Sequence, residues 1–290
     1  MAMTSPLNWL SSWHQVQTTV YCPPDCQRLK ISASDVRRLA MTRLHPSAAD
    51  WEGLVPEMTE LDYATKPADY FTVERQEMLP FLPPNCRRLL DVGCGAGAFG
   101  QMVKRKREVE VWGVEPVSSV AAMASVKLDR VVVGTFCPRS DLPQGTFDCI
   151  VFNDVLEHML APEQALRYAK SLLSRSGSIV ASIPNIRYLP VLWHLVVRGG
   201  WKYEDCGVLD RTHVRFFTRS SIIAMFQSEG YVVSIALGIN PYAGIPRASK
   251  RLWRAYEFMD ALSFRKFNDL RFQQFAVVAQ PTPTQHGRGL

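Results

Sequence analysis

Apolar and polar positions alternate weakly from Met1 to about Asn85, where Pro-rich punctuation ("CPPDC", "HPSAADWEG", "LPPN") leaves room only for short helices, over Ser34 to Leu44 and Thr72 to Leu79. From Arg88 the pattern changes. "RRLLDV" is a short apolar strand that breaks into the glycine loop "GCGAGAFG", and a helix follows over Gly100 to Lys106. "VEVWGVEP" reads as a second strand, "SSVAAMASVKL" as a helix, "RVVVGTF" as a third strand and "TFDCIVFND" as a fourth. Pro162 suits a first helical turn, and Ala165, Leu166, Ala169, Leu172 and Leu173 recur at helical spacing until Gly177. "SIVASIPN" is the fifth strand. Strands and helices alternating at this pitch imply a parallel sheet covered on both faces.

Beyond it, residues 186–218 hold an apolar helix candidate closed by "RGG", in which Leu189, Leu192 and Leu195 at helical spacing read as core. A helix starts near Ser220, and "YVVSIALGI" and "FQQFAVVAQ" make an antiparallel pair. Between them, Arg247 to Phe267 is basic and amphipathic; a helix packed on the sheet with a wet basic side is its simpler reading, and a membrane-surface helix the other. The tail after Pro281 has the composition of a disordered segment.

Glycines directly after a strand let the backbone approach a ligand at the carboxyl edge of the sheet, and Glu115, ending the second strand, is placed to accept the hydroxyls of a ribose. The loop also fits the nicotinamide dinucleotide pattern. Asp91, two residues before the first glycine, argues against that reading, because a carboxylate there repels a pyrophosphate and meets a positive group. With "LLDVGCGAGAFG", "VWGVEP", "GTFDCIVFNDVLEH" and "GSIVASIPN" taken together, the stretch from about Tyr70 to Gln280 resembles the class I S-adenosylmethionine-dependent methyltransferases, within the ubiquinone-biosynthesis-like group. That resemblance implies an α/β Rossmann-like fold with a seven-stranded, mostly parallel sheet and a reversed terminal strand, preceded by an N-terminal helical extension. It implies S-adenosylmethionine as cofactor, with Asp91, Gly93, Cys94, Gly95 and Gly97 around its methionine end, Glu115 and Pro116 at the ribose, and Thr135, Phe136, Asn153 and Asp154 completing the pocket. Thr135 stands where the family often has an Asp that reaches the adenine amine.

"FNDVLEHML" passes from an apolar strand into Asn153, Asp154, Glu157 and His158. At i, i+3 and i+4 the last three would share one helical face, leaving Val155, Leu156 and Met159 to pack inward. Two carboxylates and an imidazole beside a methyl donor suit a base assembly or a cation site. His213 in "DRTHVRFFT" is a further candidate at the same mouth. The motif resembles those of ubiquinone-pathway O-methyltransferases and small-RNA 3′-end 2′-O-methyltransferases, which implies a divalent metal on Asp154, Glu157, His158 and His213, with Asp154 replacing the usual Glu. A helix-start acid favoured by the helix dipole is the plain alternative for Glu157.

Composition narrows the partners. The chain has 290 residues, 47% hydrophobic and 21% charged, enough for one catalytic domain (70–280) with a 1–69 extension as a substrate lid, insertions at 186–218 and 240–270 and a tail at 281–290. Seven cysteines, with Cys22 and Cys26 the one close pair, suit free thiols in a reducing, cytoplasmic, bacterial setting. No apolar run reaches the ~20 residues of a membrane span. The net charge of +6 and a pI near 9.0 suit RNA, an anionic surface or a phosphorylated substrate, although clustered Lys and Arg are most often a solvated face. The expected activity is methyl transfer to a hydroxyl of a small molecule, a sugar or glycan precursor or secondary metabolite, by a homodimer. RNA 2′-O-methylation and a silent cofactor-binding membrane-surface protein are the alternatives, nucleic acid being the less favoured partner. Tyr188, Trp193, Trp201 and Tyr203 are candidate linings of the acceptor site.

Overall fold

A computed structural model describes residues 66, 71–241, 250–262 and 267–283, all within the compact unit Met58–Leu290. The expected helix at Ser34 to Leu44, the pair Cys22 and Cys26 and most of the C-terminal tail lie outside the described residues. From Arg88 the elements run β1 (Arg88–Val92), α1 (Ala98–Lys106), β2 (Glu110–Glu115), α2 (Ser118–Ser125), β3 (Arg130–Val133), β4 (Phe147–Asn153), α3 (Pro162–Leu172) and β5 (Leu173–Pro184). They continue with α4 (Leu189–Arg198), α5 (Arg219–Ser228), β6 (Tyr231–Pro241), α6 (Lys250–Leu262) and β7 (Phe272–Pro281).

The seven strands form one sheet in the order β3-β2-β1-β4-β5-β7-β6. β1 to β5 pair in parallel, and β7 runs antiparallel to both β5 and β6. This is the expected sheet, with one reversed strand between β5 and β6. Alternation within β1 shows why it is covered twice: Leu90 joins the core with Phe152, Leu166 and Phe226, while Leu89 joins Met102, Val111 and Val151 on the other face.

Local chemistry sets the helix ends. Pro162 occupies the first turn of α3, whose Ala165, Leu166, Ala169 and Leu172 are buried, and Thr218 and Ser221 close a capping box on α5. Three expectations shift. α3 ends at Leu172 rather than running toward Gly177, because Leu173 already begins β5 and packs in its core. The segment Thr72 to Leu79 forms a short 3-10 helix, Gln76–Phe81, since Pro80 withholds a donor from a longer ladder. The leucines of α4 are not core: no residue of that helix is buried.

Replacing Ile179, which is fully buried in β5, by Ala is expected to lower unfolding free energy by about 2–5 kcal/mol in denaturant titration. Leu237→Ala on the exposed edge strand β6 should change it by no more than about 0.5 kcal/mol.

Candidate active site

The carboxyl ends of β1 and β2 bring two acids to the glycine loop. Asp91 and Glu115 are buried at 2% and 4% exposure. Glu115 accepts the backbone N–H of Gly95 at 2.9 Å through Oε2 and that of Val117 at 3.1 Å through Oε1. Asp91 Oδ2 is buried without a hydrogen-bond partner among the described residues. Burial first, and the charge of Glu115 second, push Asp91 up to about 8; burial likewise raises Glu115 against the two backbone donors that lower it.

The loop is shaped for close approach. Gly95 has φ of +54°, and a Cβ there would stand 2.9 Å from the carbonyl oxygen of Phe71, which accepts the Ala96 N–H at 2.9 Å. The segment before β1 thus lies over the loop, with Phe71 packed on Ala96, Val117 and Val120. Cys94 is buried beside Gly113, and burial drives its thiol up. Gly97 starts α1, Pro116 is half-buried, and Thr135 is exposed with its carbonyl accepting Ser140 Oγ–H. Phe136 is taken up by the core, edge-on to Phe152 with ring centroids 5.6 Å apart. Asn153 ends β4 with both side-chain polar atoms buried and unpartnered among the described residues.

After β4 the chain does not make the helical face expected of Asp154, Glu157 and His158. Asp154 has φ of +55°, and only a 3-10 turn, Leu156–His158, follows. Asp154 points instead to Arg75, whose guanidinium reaches Oδ2 at 2.7 Å; Ser182 Oγ–H and Gln274 Nε2–H also donate to it, each at 2.9 Å. Gln274 Oε1 accepts from Asn240 at 2.6 Å, and Arg75 also donates to Ser182 at 2.7 Å. Sequence reading missed Arg75, Ser182, Gln274 and Asn240, because no local pattern signals a contact spanning the sheet. The only non-glycine residues with positive φ among those described are Arg75, Asp154 and Asn240, and all three meet in this network.

Glu157, His158 and His213 are brought together, with one ligand-type atom from each within 4.8 Å of the others. Glu157 is 1% exposed and neither carboxylate oxygen has a hydrogen bond among the described residues; His213 Nε2 stands 3.8 Å from its Oε1. Burial, then the charge of Asp154, raises Glu157. The rings of His158 and His213 meet edge to face at 4.7 Å. His158 Nδ1–H donates to the Thr212 carbonyl at 3.2 Å and Thr212 Oγ1 at 3.1 Å, while Thr212 Oγ1–H donates to Asp210, which Lys66 pairs. His213 Nδ1–H donates to the Val208 carbonyl at 3.1 Å, turning Nε2 toward Glu157. Burial lowers both imidazoles, His158 to about 4, so both are neutral near pH 7. The Val214 and Arg215 N–H groups donate to the Glu157 carbonyl, which ties this distant loop to the turn.

A glycine loop over two buried acids at the carboxyl edge of a seven-stranded sheet with one reversed strand defines the class: a methyltransferase fold that takes a cationic donor. The comparisons agree. Residues 63–234, more than half of the chain, match the methyltransferase domain family, and the chain belongs to it. Its family and fold are those of the class I S-adenosylmethionine-dependent methyltransferases. It is 24% identical over 179 residues to the mitochondrial ubiquinone biosynthesis O-methyltransferase of Bos taurus, covering 57% of this chain and 47% of that one. With the ubiquinone biosynthesis O-methyltransferase of Bradyrhizobium diazoefficiens it shares 29% identity over 102 residues, 34% of this chain and 40% of the relative. The chain therefore spans less than half the length of these relatives. A crystal structure of an S-adenosylmethionine-dependent methyltransferase from Archaeoglobus fulgidus superposes with a TM-score of 0.51 at 21% identity, covering 73% of this chain and 94% of that one, and shares the fold.

Because Arg75 and Asp154 are both partly shielded, at 15% and 27% side-chain exposure, Arg75→Met should cost about 1–3 kcal/mol. A double-mutant cycle with Asp154→Asn is expected to show a coupling of about 1–2 kcal/mol; additive effects would mean the pair is not joined in solution.

Proposed function

We propose that this chain transfers the methyl group of S-adenosylmethionine to a hydroxyl of a small molecule, such as a sugar or glycan precursor or a hydroxylated secondary metabolite, at the carboxyl edge of the sheet. The donor supplies an electrophilic methyl already activated by its sulfonium. What remains for the protein is to hold the donor, align the acceptor and remove its proton.

The donor half rests on Asp91: a buried carboxylate with an orphaned oxygen fits a positive group such as the methionine ammonium, and Glu115, held by two backbone N–H groups beside it, suits a ribose diol. The acceptor half rests on Glu157, His158 and His213. Both imidazoles are neutral and hold their Nδ1 protons against carbonyl oxygens, so His213 Nε2, aimed at Glu157, is the candidate proton acceptor for a neutral alcohol. The relatives are named O-methyltransferases of ubiquinone biosynthesis, which favours oxygen as the receiving atom.

A second reading has one observation in its favour, the approach of Glu157, His158 and His213 within 4.8 Å. These residues would hold a divalent cation, which lowers the pKa of a bound hydroxyl. Asp154 is left out of that set, since Arg75, Ser182 and Gln274 already engage it.

Deprotonated Asp91 is the state that binds a cation, so affinity for S-adenosylhomocysteine, whose ammonium remains, should rise between about pH 6 and the Asp91 value of about 8 and level off above it. Binding below that value should release a proton, read by calorimetry in buffers of different ionisation enthalpy. Asp91→Asn should weaken binding by about 100-fold or more and flatten the pH profile. A pH-independent affinity in the wild type would remove Asp91 from the donor site.

Transfer itself is tested with methyl-labelled donor and a panel of catechols, nucleotide sugars and hydroxylated metabolites, the methylated atom being read by mass spectrometry and NMR. Oxygen is the expected site; label on nitrogen, on carbon or on RNA would replace this reading. Glu157→Gln and His213→Ala should each lower turnover by about 100-fold or more with donor affinity unchanged. Chelation should match that loss only if the cation reading holds; Mn2+ titration of the wild type and of Glu157→Gln distinguishes the two.

A further inference from the structure

Two helices in the connections at the carboxyl edge of the sheet carry apolar side chains exposed to water. α4 follows β5 and α6 follows β6. Since β5 and β6 both run antiparallel to β7, they point the same way, and the connections that hold the two helices both begin at the edge that carries Asp91, Glu115 and the Glu157 turn. α4 reads LPVLWHLVVR and buries none of its residues, with Val196 77% and Val197 54% exposed. Trp201 and Tyr203 continue the exposed surface after it, and on α6 Phe258 and Leu262 are 67% and 65% exposed. A helix in water normally turns such residues inward, and grouped apolar exposure marks a contact surface.

The charge around this surface selects the occupant. Residues 247–267 carry six Lys and Arg against two acids, Glu257 and Asp260, and Asp260 is buried where it accepts the Phe267 N–H at 3.0 Å. Arg251 and Arg254 on α6 and Arg198 and Lys202 at the end of α4 are exposed. A second copy docked face to face would set one basic segment against another. An anionic bilayer instead offers acyl chains to Val196, Phe258 and Leu262, negative headgroups to the cations, and the interfacial zone that Trp and Tyr prefer.

We propose that α4 and α6 seat the carboxyl edge of the sheet on an anionic lipid surface, so that the transfer site works at the bilayer interface. This goes beyond the transfer reading and does not depend on which hydroxyl is methylated.

Vesicle sedimentation of the full chain tests it. The protein should pellet with phosphatidylcholine vesicles containing about one third phosphatidylglycerol, and far less with phosphatidylcholine alone. Raising salt from about 0.1 M to about 0.5 M should weaken partitioning by about tenfold. Val196→Asp and Phe258→Asp, both at exposed positions, should each weaken it by about fivefold or more while melting temperature and S-adenosylhomocysteine binding stay at wild-type values. Failure to bind anionic vesicles, or binding that Val196→Asp leaves unchanged, overturns the proposal. So does a dimer in light scattering that Val196→Asp dissociates, because the face would then belong to a second copy.

Discussion

The edge of the sheet depends on two carboxylates held out of water side by side. Asp91, next to the last residue of its strand, has a buried oxygen that no described residue satisfies, while Glu115 on the neighbouring strand is fixed by the N–H groups of Gly95 and Val117. Ionising both there is costly, and the fold shows the cost by raising both acids. A cation offsets it. The glycine loop is the other half of the arrangement: through Gly95 it brings a backbone donor to Glu115, and Phe71 packs over it against Ala96 and Val117.

On the receiving side the constraint is different. Asp154, which would otherwise add a third acid to the edge, is neutralised by Arg75 and fixed by Ser182 and Gln274. Holding it there requires left-handed backbone at Arg75, Asp154 and Asn240, a strain worth of order 1 kcal/mol or more at each residue. Strain is retained where the surroundings over-determine it. Here the gain is a firm wall between the donor loop and the Glu157 turn, anchored on β5, β6 and β7 at once.

Much of this was legible in the chain. The period-two runs, the glycine loop and the acid ending β2 gave the alternating strands and helices and the acidic edge, because each rests on spacing within a few residues, and the resemblance added the count of seven strands with one reversed. The pairing of the Glu157 turn with His213 was also reachable, through the resemblance of "DVLEH" and "DRTH" to known motifs. What could not be read was geometry set by distant partners. Asp154, Glu157 and His158 have helical spacing, yet the chain turns left-handed at Asp154 since Arg75, 79 positions earlier in the sequence, claims its carboxylate. The leucines of α4 have core spacing, and the helix still stands in solvent, because spacing fixes which residues share a face but not whether anything covers it.

The two halves of the edge meet in an electrostatic asymmetry. Desolvation acts on every ionisable group there in the same sense, toward neutrality: it raises Asp91, Glu115 and Glu157 and lowers His158 and His213. Neutral imidazoles leave the receiving side without a charge that would repel a cationic donor, and the acids on the donor side make that charge welcome. Methyl transfer then changes the balance. The sulfonium becomes a neutral thioether, so the pocket that gained most from a positive ligand holds the spent donor with one attraction fewer, while the proton left by a hydroxyl acceptor has a neutral base waiting for it. On the proposed reading Asp91 meets the ammonium, which the spent donor keeps, so only the lost sulfonium charge favours its exchange.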